Sequence, residues 1–467
     1  MVTFFPKQIA NKGILLYILS LTIVSVLYMK YAIPWYFMLM GMVEVSLFFL
    51  LAPKFSRSLL KYTPDKFEKK IFWTAFVLRT LWVVFSFFFY IQQTGQPFEY
   101  NVADAYGYHA DAEWASSAKW DNVMDYLFYS RNGYSDSGYV FYLTILYKII
   151  GSNIFPARIV KAFISSFMCV LIYRLASRNI GEEPGRMAAV FCVLMPNLYV
   201  YCGLHLKETE MLFLEVAFLE RTDYAMRQKK IKFWDVIVPL LLCGSLFFFR
   251  TALGAVAAMS FFTALLFSTN KVITRVRKFQ IAIWAVLAVL IVGGSAIMTE
   301  IENLLQKRSS AQEMKRLEQT SRGNLWAKYA TGTVMAPMIF VLPFTTMVDT
   351  DQYNQLVIHG GNFVRNFMGA FVLIGLFTAI FTKKTWRNLS LIGSFTIFYL
   401  LVIAMSGFAN SERFLLPGLP GLLIIAAYGV SELTTKSVKF VKVWYFVVVL
   451  MQVGWAFFKL GSRGLVG

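Results

Sequence analysis

The sequence is short of charge. Asp, Glu, Lys and Arg make up only 15% of its 467 residues, against about 25% in soluble domains. So few charged side chains do not cover the water-facing surface of a chain this long. Cysteine is scarce too. Cys169, Cys192, Cys202 and Cys243 lie in or beside apolar runs with no CxxC spacing, which excludes a disulfide framework or a thiolate metal site. Histidine is limited to His109, His205 and His359. No internal repeat or low-complexity segment is present, which argues against a transporter built from two repeated halves. No small-residue cleavage site follows the first apolar run, so the N-terminus does not read as a removable signal peptide.

What is abundant is apolar and aromatic. The AVILMFWYC fraction is 58% and the aromatic fraction 17%. A helix needs about 20 apolar residues to cross a bilayer. Runs of that kind fall at 14–29, 31–52, 71–91, 156–176, 187–203, 209–226, 233–249, 251–268, 280–298, 364–381, 388–407, 414–432 and 441–459. None keeps the period of two that a β-barrel strand requires. The expected fold class is therefore an all-α polytopic membrane protein with about 13 transmembrane helices. Two shorter apolar runs, 138–150 and 334–347, read as interfacial or re-entrant.

The net charge of +19 is placed unevenly. Lys54, Arg57, Lys61, Lys66, Lys69 and Lys70 cluster in one loop, and Arg221, Arg227, Lys229, Lys230 and Lys232 in another. Lys271, Arg275, Arg277 and Lys278 fill a third, Arg174, Arg178 and Arg186 flank a fourth, and Lys383, Lys384 and Arg387 a fifth. The thirteen spans put all of these on one side, which the positive-inside rule makes cytoplasmic. The N-terminus is then inside. Nucleic acid is not expected as a partner, because the basic residues follow loops rather than an aromatic-lined groove. The chain divides into N-terminal spans 1–91, a first extracytoplasmic loop 92–155, a transmembrane core 156–298, a second extracytoplasmic loop 299–363 and C-terminal spans 364–467.

The chemistry-bearing residues collect outside. In DAYGYHADAEW (104–114), Asp104, Tyr108, His109, Asp111 and Glu113 crowd one stretch. These acids cannot share one helical face, so part of it is expected to be loop. A carboxylate fixed there can serve as a base, though a solvated acidic loop would read the same way. HLKETEM (205–211) puts Lys207, Glu208 and Glu210 at a membrane mouth, where charge is costly unless paired or functional. Arg250 interrupts FFFRTALG at the turn of a hairpin with no acid beside it in sequence, and Arg413 lies in ANSERFLLPGLPG ahead of Pro417 and Pro420. A guanidinium fork suits phosphate, while a single interfacial arginine is often only an anchor. Glu44 and Arg79 fall at equal depth in neighbouring spans and read as a structural ion pair.

These motifs, in this order, resemble the GT-C superfamily of polytopic glycosyltransferases, and in particular the phospholipid-carrier-dependent, protein-mannosyltransferase-like group of bacteria. The likeness covers residues 92–270 and 405–432. It implies a plasma-membrane enzyme with an extracytoplasmic active site. It implies that Asp104 is the catalytic base and that Glu208, or Glu210 if the match slips by two, is the second acidic residue. Arg250 and Arg413 would approach the donor phosphate, with Lys207, His109 and Tyr108 alongside. The sequence departs from oligosaccharyltransferases in lacking their DxD-type pair and WWD-type signature. No cofactor is therefore certain, and a divalent metal is left open.

The activity so implied is inverting transfer of a sugar from a polyprenyl-phosphate donor to a glycan, lipid or protein acceptor. The residues fit it independently, since a phosphate leaves as a stabilised anion and needs no general acid, only a base for the acceptor and cations for the phosphate. Two other readings remain. A polysaccharide polymerase or O-antigen-type ligase would use a polyprenyl-pyrophosphate donor, to which the six basic residues of 307–328 would be suited. A lipid-linked glycan flippase or transporter would carry its charges deep in the bundle.

Overall fold

The structure, a computed structural model, describes residues 2–102, 104–127, 136–230, 232–267, 338–405, 411–461 and 463–465. Its regular elements are helices, with a single isolated bridge between Ala32 and Val348 among the described residues. In chain order they are α1 (Lys7–Leu27), α2 (Trp35–Ser58), α3 (Pro64–Thr94), α4 (Asp104–Ser117), α5 (Trp120–Asp125), α6 (Ser137–Ile150), α7 (Ile154–Ile180), α8 (Glu182–Leu194), α9 (Pro196–Val200), α10 (Glu208–Arg227), α11 (Phe233–Phe249) and α12 (Thr251–Phe267). After 337 come α13 (Tyr353–Leu356), α14 (His359–Phe381), α15 (Lys383–Asn388), α16 (Ser390–Met405), α17 (Glu412–Leu415), α18 (Leu419–Ser431) and α19 (Thr435–Gly461). An all-helical architecture is what a bilayer demands, because every backbone amide and carbonyl must find its partner within its own segment.

Seven helices are long and apolar enough to cross a membrane: Lys7–Leu27, Trp35–Lys61, Pro64–Thr94, Ile154–Ile180, His359–Phe381, Glu412–Ser431 and Thr435–Gly461. An eighth crossing arises if α8 and the segment from Pro196 to Gly203, bent by 52° at their junction, count as one span. The helices Phe233–Phe249, Thr251–Phe267 and Ser390–Ala404 are apolar but shorter. α10 has the length, but five acids (Glu208, Glu210, Glu215, Glu220 and Asp223) lower its hydropathy. The expected span 280–298 and the basic segment 307–328 lie outside the described residues. Thirteen spans therefore stay an expectation, while the many-helix membrane architecture is observed.

Two expectations are corrected here. Residues 104–117 form one continuous helix with no loop inside it. Asp104, Tyr108 and Asp111 recur at i, i+4 and i+7 and so share a face, which leaves Glu113 off it. The Glu44–Arg79 ion pair does not form. α3 packs on α7 and α8, whereas α2 packs on α1, α8 and α14. The Arg79 guanidinium instead donates to Ser165 Oγ at 2.7 Å, Cys192 O at 3.2 Å and Cys169 Sγ at 3.3 Å. Glu44 accepts from the Gly361 backbone N–H at 2.9 Å. Neighbours in sequence are separated in space because α8 is wedged between them. Of the short apolar run 334–347, the described part is irregular rather than helical. Asn366 ties it down by donating to Val341 O at 2.7 Å and Pro343 O at 2.9 Å.

The basic turns meet at one end of the bundle. Arg174 pairs with Glu68 at 2.6 Å, and Arg178 with Glu220 and Asp223, both at 2.8 Å. Arg186 donates to Leu59 O at 2.9 Å and Arg227 to Asn179 Oδ1 at 2.8 Å. Asp104, Lys207, Arg250 and Arg413 lie at the other end, because each starts, ends or joins helices that run away from the basic turns.

The centre of the bundle is set by close backbone approach. α18 is buried at every residue and packs on α8 and α14. A Cβ on Gly429 would fall on the Phe371 carbonyl oxygen, and one on Gly375 on the Ile425 carbonyl oxygen. Backbone cannot yield there, so Gly429→Ala should destabilise by about 1–3 kcal/mol. Gly393, with open space at its Cβ, is the control, and Gly393→Ala should be neutral or stabilising by up to about 1 kcal/mol. Thermal unfolding in detergent reads both. Equal melting temperatures for the two variants would contradict the packing described.

Candidate active site at the end of the bundle

Three chain breaks build the site. α4 begins at Asp104, α10 begins at Glu208, and the helical hairpin of α11 and α12 is joined by Arg250 alone, in extended conformation (φ −163°, ψ 112°). The short α17 carries Arg413 into the space between them. Its guanidinium makes direct ion pairs with both Asp104 Oδ2 and Glu208 Oε1. Arg250 Nη2 stands 3.8 Å from the same Glu208 oxygen. So Arg250, which has no acid beside it in sequence, has one in space. Its Nη1 donates to the Tyr399 hydroxyl at 3.0 Å, that hydroxyl donates to Phe414 O at 2.8 Å, and the guanidinium lies 4.5 Å from the centre of the Phe414 ring. Arg250 is thus fixed on three sides, which removes most of its rotamer freedom before any ligand arrives.

Burial sorts the two carboxylates. The Glu208 side chain is 0% exposed and Asp104 55% exposed. Glu208 is the permanent counter-ion of two guanidiniums, and Asp104 is the group that solvent and ligands reach. Lys207 is nearly buried, donates to Phe249 O at 2.8 Å and pairs with Asp136. Burial first, and then the Arg250 charge, push the Lys207 ammonium well below its usual range. Tyr108 is buried on α4 within electrostatic reach of Arg413.

A cavity of about 300 Å³ opens beside this cluster, lined by Asp104 and Arg413 together with Glu99, Tyr201, Glu412 and Lys459. That is the lower end of the range for small-molecule sites. The last four residues were not singled out in the sequence. Glu412 is adjacent to Arg413, and its carboxylate accepts from Asn197 Nδ2 at 3.3 Å, which the break between α8 and α9 aims at it. Glu99 lies in the link from α3 to α4, where burial raises its carboxyl above the usual range. Glu99 lies in none of the motifs and Glu412 is overshadowed by Arg413 in its own, because the residues that make them matter come from distant parts of the chain.

Two expected site residues fall outside the arginine cluster. His109 Nδ1 is 2.7 Å from the Tyr147 hydroxyl, which is 3.0 Å from His205 Nε2. That chain of three polar groups ties α4 to α6 and to the loop before α10. Glu210 faces Lys161 at 3.4 Å on the other flank of α10. Glu208 and Glu210 are therefore divided by placement, with Glu208 in the arginine cluster. Among the described residues no group of three or more His, Cys, Asp or Glu side chains is placed to hold a metal ion.

A family model described as dolichyl-phosphate-mannose-protein mannosyltransferase matches residues 138–294. That family is one of membrane glycosyltransferases of the GT-C type, and the match spans about a third of this chain. The matched stretch includes Lys207, Glu208 and Arg250 and excludes Asp104 and Arg413, which the fold brings to them. A search of curated protein sequences finds no match.

The protein should be acid-sensitive through His205. Burial, then the charges of Lys161 and Arg158, hold its imidazole well below the ordinary value of about 6.5. A histidine held neutral in the folded state binds fewer protons than the unfolded chain. Its contribution is fully present above about 6.5 and is lost as pH falls from there toward the folded-state value. The melting temperature should drop between pH 7 and pH 5, and His205→Gln should flatten that slope. An unchanged slope in the variant would assign the acid sensitivity elsewhere.

Proposed function

We propose that this glycosyltransferase moves a sugar from a polyprenyl-phosphate donor to an acceptor hydroxyl, with inversion, on the extracytoplasmic face of the membrane. The observation that carries this reading is the sharing of Arg413 between Asp104 and Glu208, with Arg250 on the far side of Glu208. Two guanidiniums against one buried carboxylate leave one positive charge. In the absence of substrate Asp104 balances it. A sugar phosphodiester carries one negative charge and can take Asp104's place on Arg413. Donor binding then releases the base that the reaction needs.

The chemistry follows. The freed Asp104 carboxylate accepts the proton of an acceptor hydroxyl held in the cavity. The hydroxyl oxygen attacks the anomeric carbon from the side opposite the phosphate. The bond from that carbon to the phosphate oxygen breaks, and its electron pair stays on the departing polyprenyl phosphate. Attack from the opposite face inverts the configuration. The growing charge on the phosphate is met by Arg413 and Arg250, already positioned and partly dehydrated, where such contacts count most. Glu208 keeps two closely spaced cations from repelling each other, and its burial prevents it from competing as a base.

Placement of the reaction outside the cell rests on the basic turns being at the opposite end of the bundle, which the positive-inside rule makes cytoplasmic. The donor class rests on the family match and on the arginine cluster. Nothing in the described residues favours the pyrophosphate-dependent or transport readings over this one.

Asp104→Asn should lower transfer by about 10²–10⁴-fold. Asp104→Glu should also be impaired, because a carboxylate moved by about an ångström is costly in a fixed site. Asp111 accepts from the Tyr126 hydroxyl at 2.9 Å and Glu113 from Ser152 Oγ at 2.9 Å. Their amide variants keep those contacts and should cost much less. Transfer assays with purified protein decide the matter. Near-normal activity in Asp104→Asn alongside loss in Glu99→Gln would move the base to Glu99. Arg413→Ala should weaken donor binding, and Arg413→Lys should restore it only in part, since an ammonium lacks the two-pronged donor geometry. Unchanged donor affinity in Arg413→Ala and Arg250→Ala would remove both from the phosphate site.

A further inference from the structure

A second cavity lies at the basic end of the bundle, away from Asp104 and Arg413. It is a groove of about 720 Å³ between the start of α1 and the end of α2, lined by Phe4, Lys7, Asn11, Phe49, Leu50, Pro53, Lys54, Arg57, Ser58 and Lys61. We propose that this groove is a binding site for an anionic phospholipid, with the phosphate headgroup between Lys54, Arg57 and Lys61 and an acyl chain along Phe49, Leu50 and Pro53.

Charge gives the first argument. The groove has four cations and no acid. Among the described residues none of the four pairs with a carboxylate. Glu44 is the sole acid between residues 2 and 64, and it is buried against α14. Bundle arginines elsewhere at this end, such as Arg174 and Arg178, have acidic partners. What sets these four cations apart from other lysines at this end is that they line one cavity together with apolar side chains.

Shape gives the second. α1 crosses α2 closely at Gly13, where a Cβ would come within 2.6 Å of the Phe49 ring. That contact seats Phe49 as an apolar end wall. Toward the helix ends the groove is lined by Pro53 and Phe4, with Arg57 held 5.6 Å from the Phe4 ring centre. Leu50 and, on the next turns of α1, Leu15 remain 57% and 54% exposed. An apolar wall that continues into exposed helix surface, capped by cations at the level of the helix ends, matches one amphiphile: a headgroup that is anionic and a tail that follows the helix. Basic pockets between membrane helices on the cytoplasmic side bind anionic lipid headgroups by the same physics.

Full-length protein in detergent, exchanged into mixed micelles of phosphatidylglycerol and phosphatidylcholine and examined by native mass spectrometry, tests this. Wild type should retain phosphatidylglycerol in preference to phosphatidylcholine. Retention should fall about fivefold per charge removed in Lys54→Gln and further in the combined Lys54→Gln, Arg57→Gln, Lys61→Gln variant. Lys436→Gln, Lys439→Gln, Lys442→Gln at the start of α19 removes equal charge from the same end and should leave retention unchanged. Phosphatidylglycerol should also raise the melting temperature of wild type, and inorganic phosphate should not. Unchanged retention in Lys54→Gln, or equal loss in the α19 control, overturns the site. Equal stabilisation by inorganic phosphate would make it a site for free anions and overturn the lipid assignment.

Discussion

Everything at the active end depends on the Arg413 guanidinium being held between a buried and an exposed carboxylate. Without Glu208, two arginines would face each other in a nearly dry site, and breaking such a buried arrangement costs about 3–5 kcal/mol. Without Asp104, the remaining positive charge would be satisfied by solvent alone. In the proposed mechanism this arrangement is the resting state, and replacement of Asp104 by an anion makes it competent. It also explains why the cluster is assembled from helix starts and a one-residue hairpin turn. Only chain breaks at one end of a helical bundle can present four charged groups from distant segments without placing them in the bilayer interior.

Much of the architecture was legible in the sequence. Charge at 15% and an apolar fraction of 58% leave little choice but a helical membrane protein, and the clustering of basic loops anticipates the end of the bundle where Arg174, Arg178 and Arg186 meet their partners. The pairs inside the bundle were not legible. Equal depth along neighbouring helices put Glu44 beside Arg79, yet α8 separates them, because depth constrains one coordinate and packing decides the others. The helix over 104–117 is hard to see in the sequence for a similar reason. An acidic surface makes a helix look like a loop, while Ala105, Tyr108, Ala112 and Ala115 supply the buried stripe that holds it.

The candidate site was legible in part. Residue type and position at helix mouths single out Asp104, Tyr108, Lys207, Glu208, Arg250 and Arg413, and the fold brings them within one neighbourhood. His109 and Glu210 were picked on the same grounds but are committed to Tyr147 and Lys161. Glu99, Glu412 and Lys459 have no such signal, because a cavity wall has no sequence signature when its residues come from separate segments. The family match covers residues 138–294 and so reaches only one wall of the cluster. The opposite wall, with Asp104 and Arg413, is tied to it by the ion pair to Glu208, by the packing of α4 on α6 and by contacts such as His109 with Tyr147.

The central claim is that a phosphate and Asp104 compete for Arg413. It is tested by measuring polyprenyl-phosphate affinity in wild type, Asp104→Asn, Arg413→Ala and the double variant. The account predicts that Asp104→Asn tightens binding by roughly threefold or more when Arg413 is present, and has no effect when Arg413 is alanine, a coupling of the size expected for groups in one ion-pair network. Equal effects of Asp104→Asn in both backgrounds would show that the two residues act independently, and would contradict the exchange of carboxylate for phosphate on which the mechanism stands.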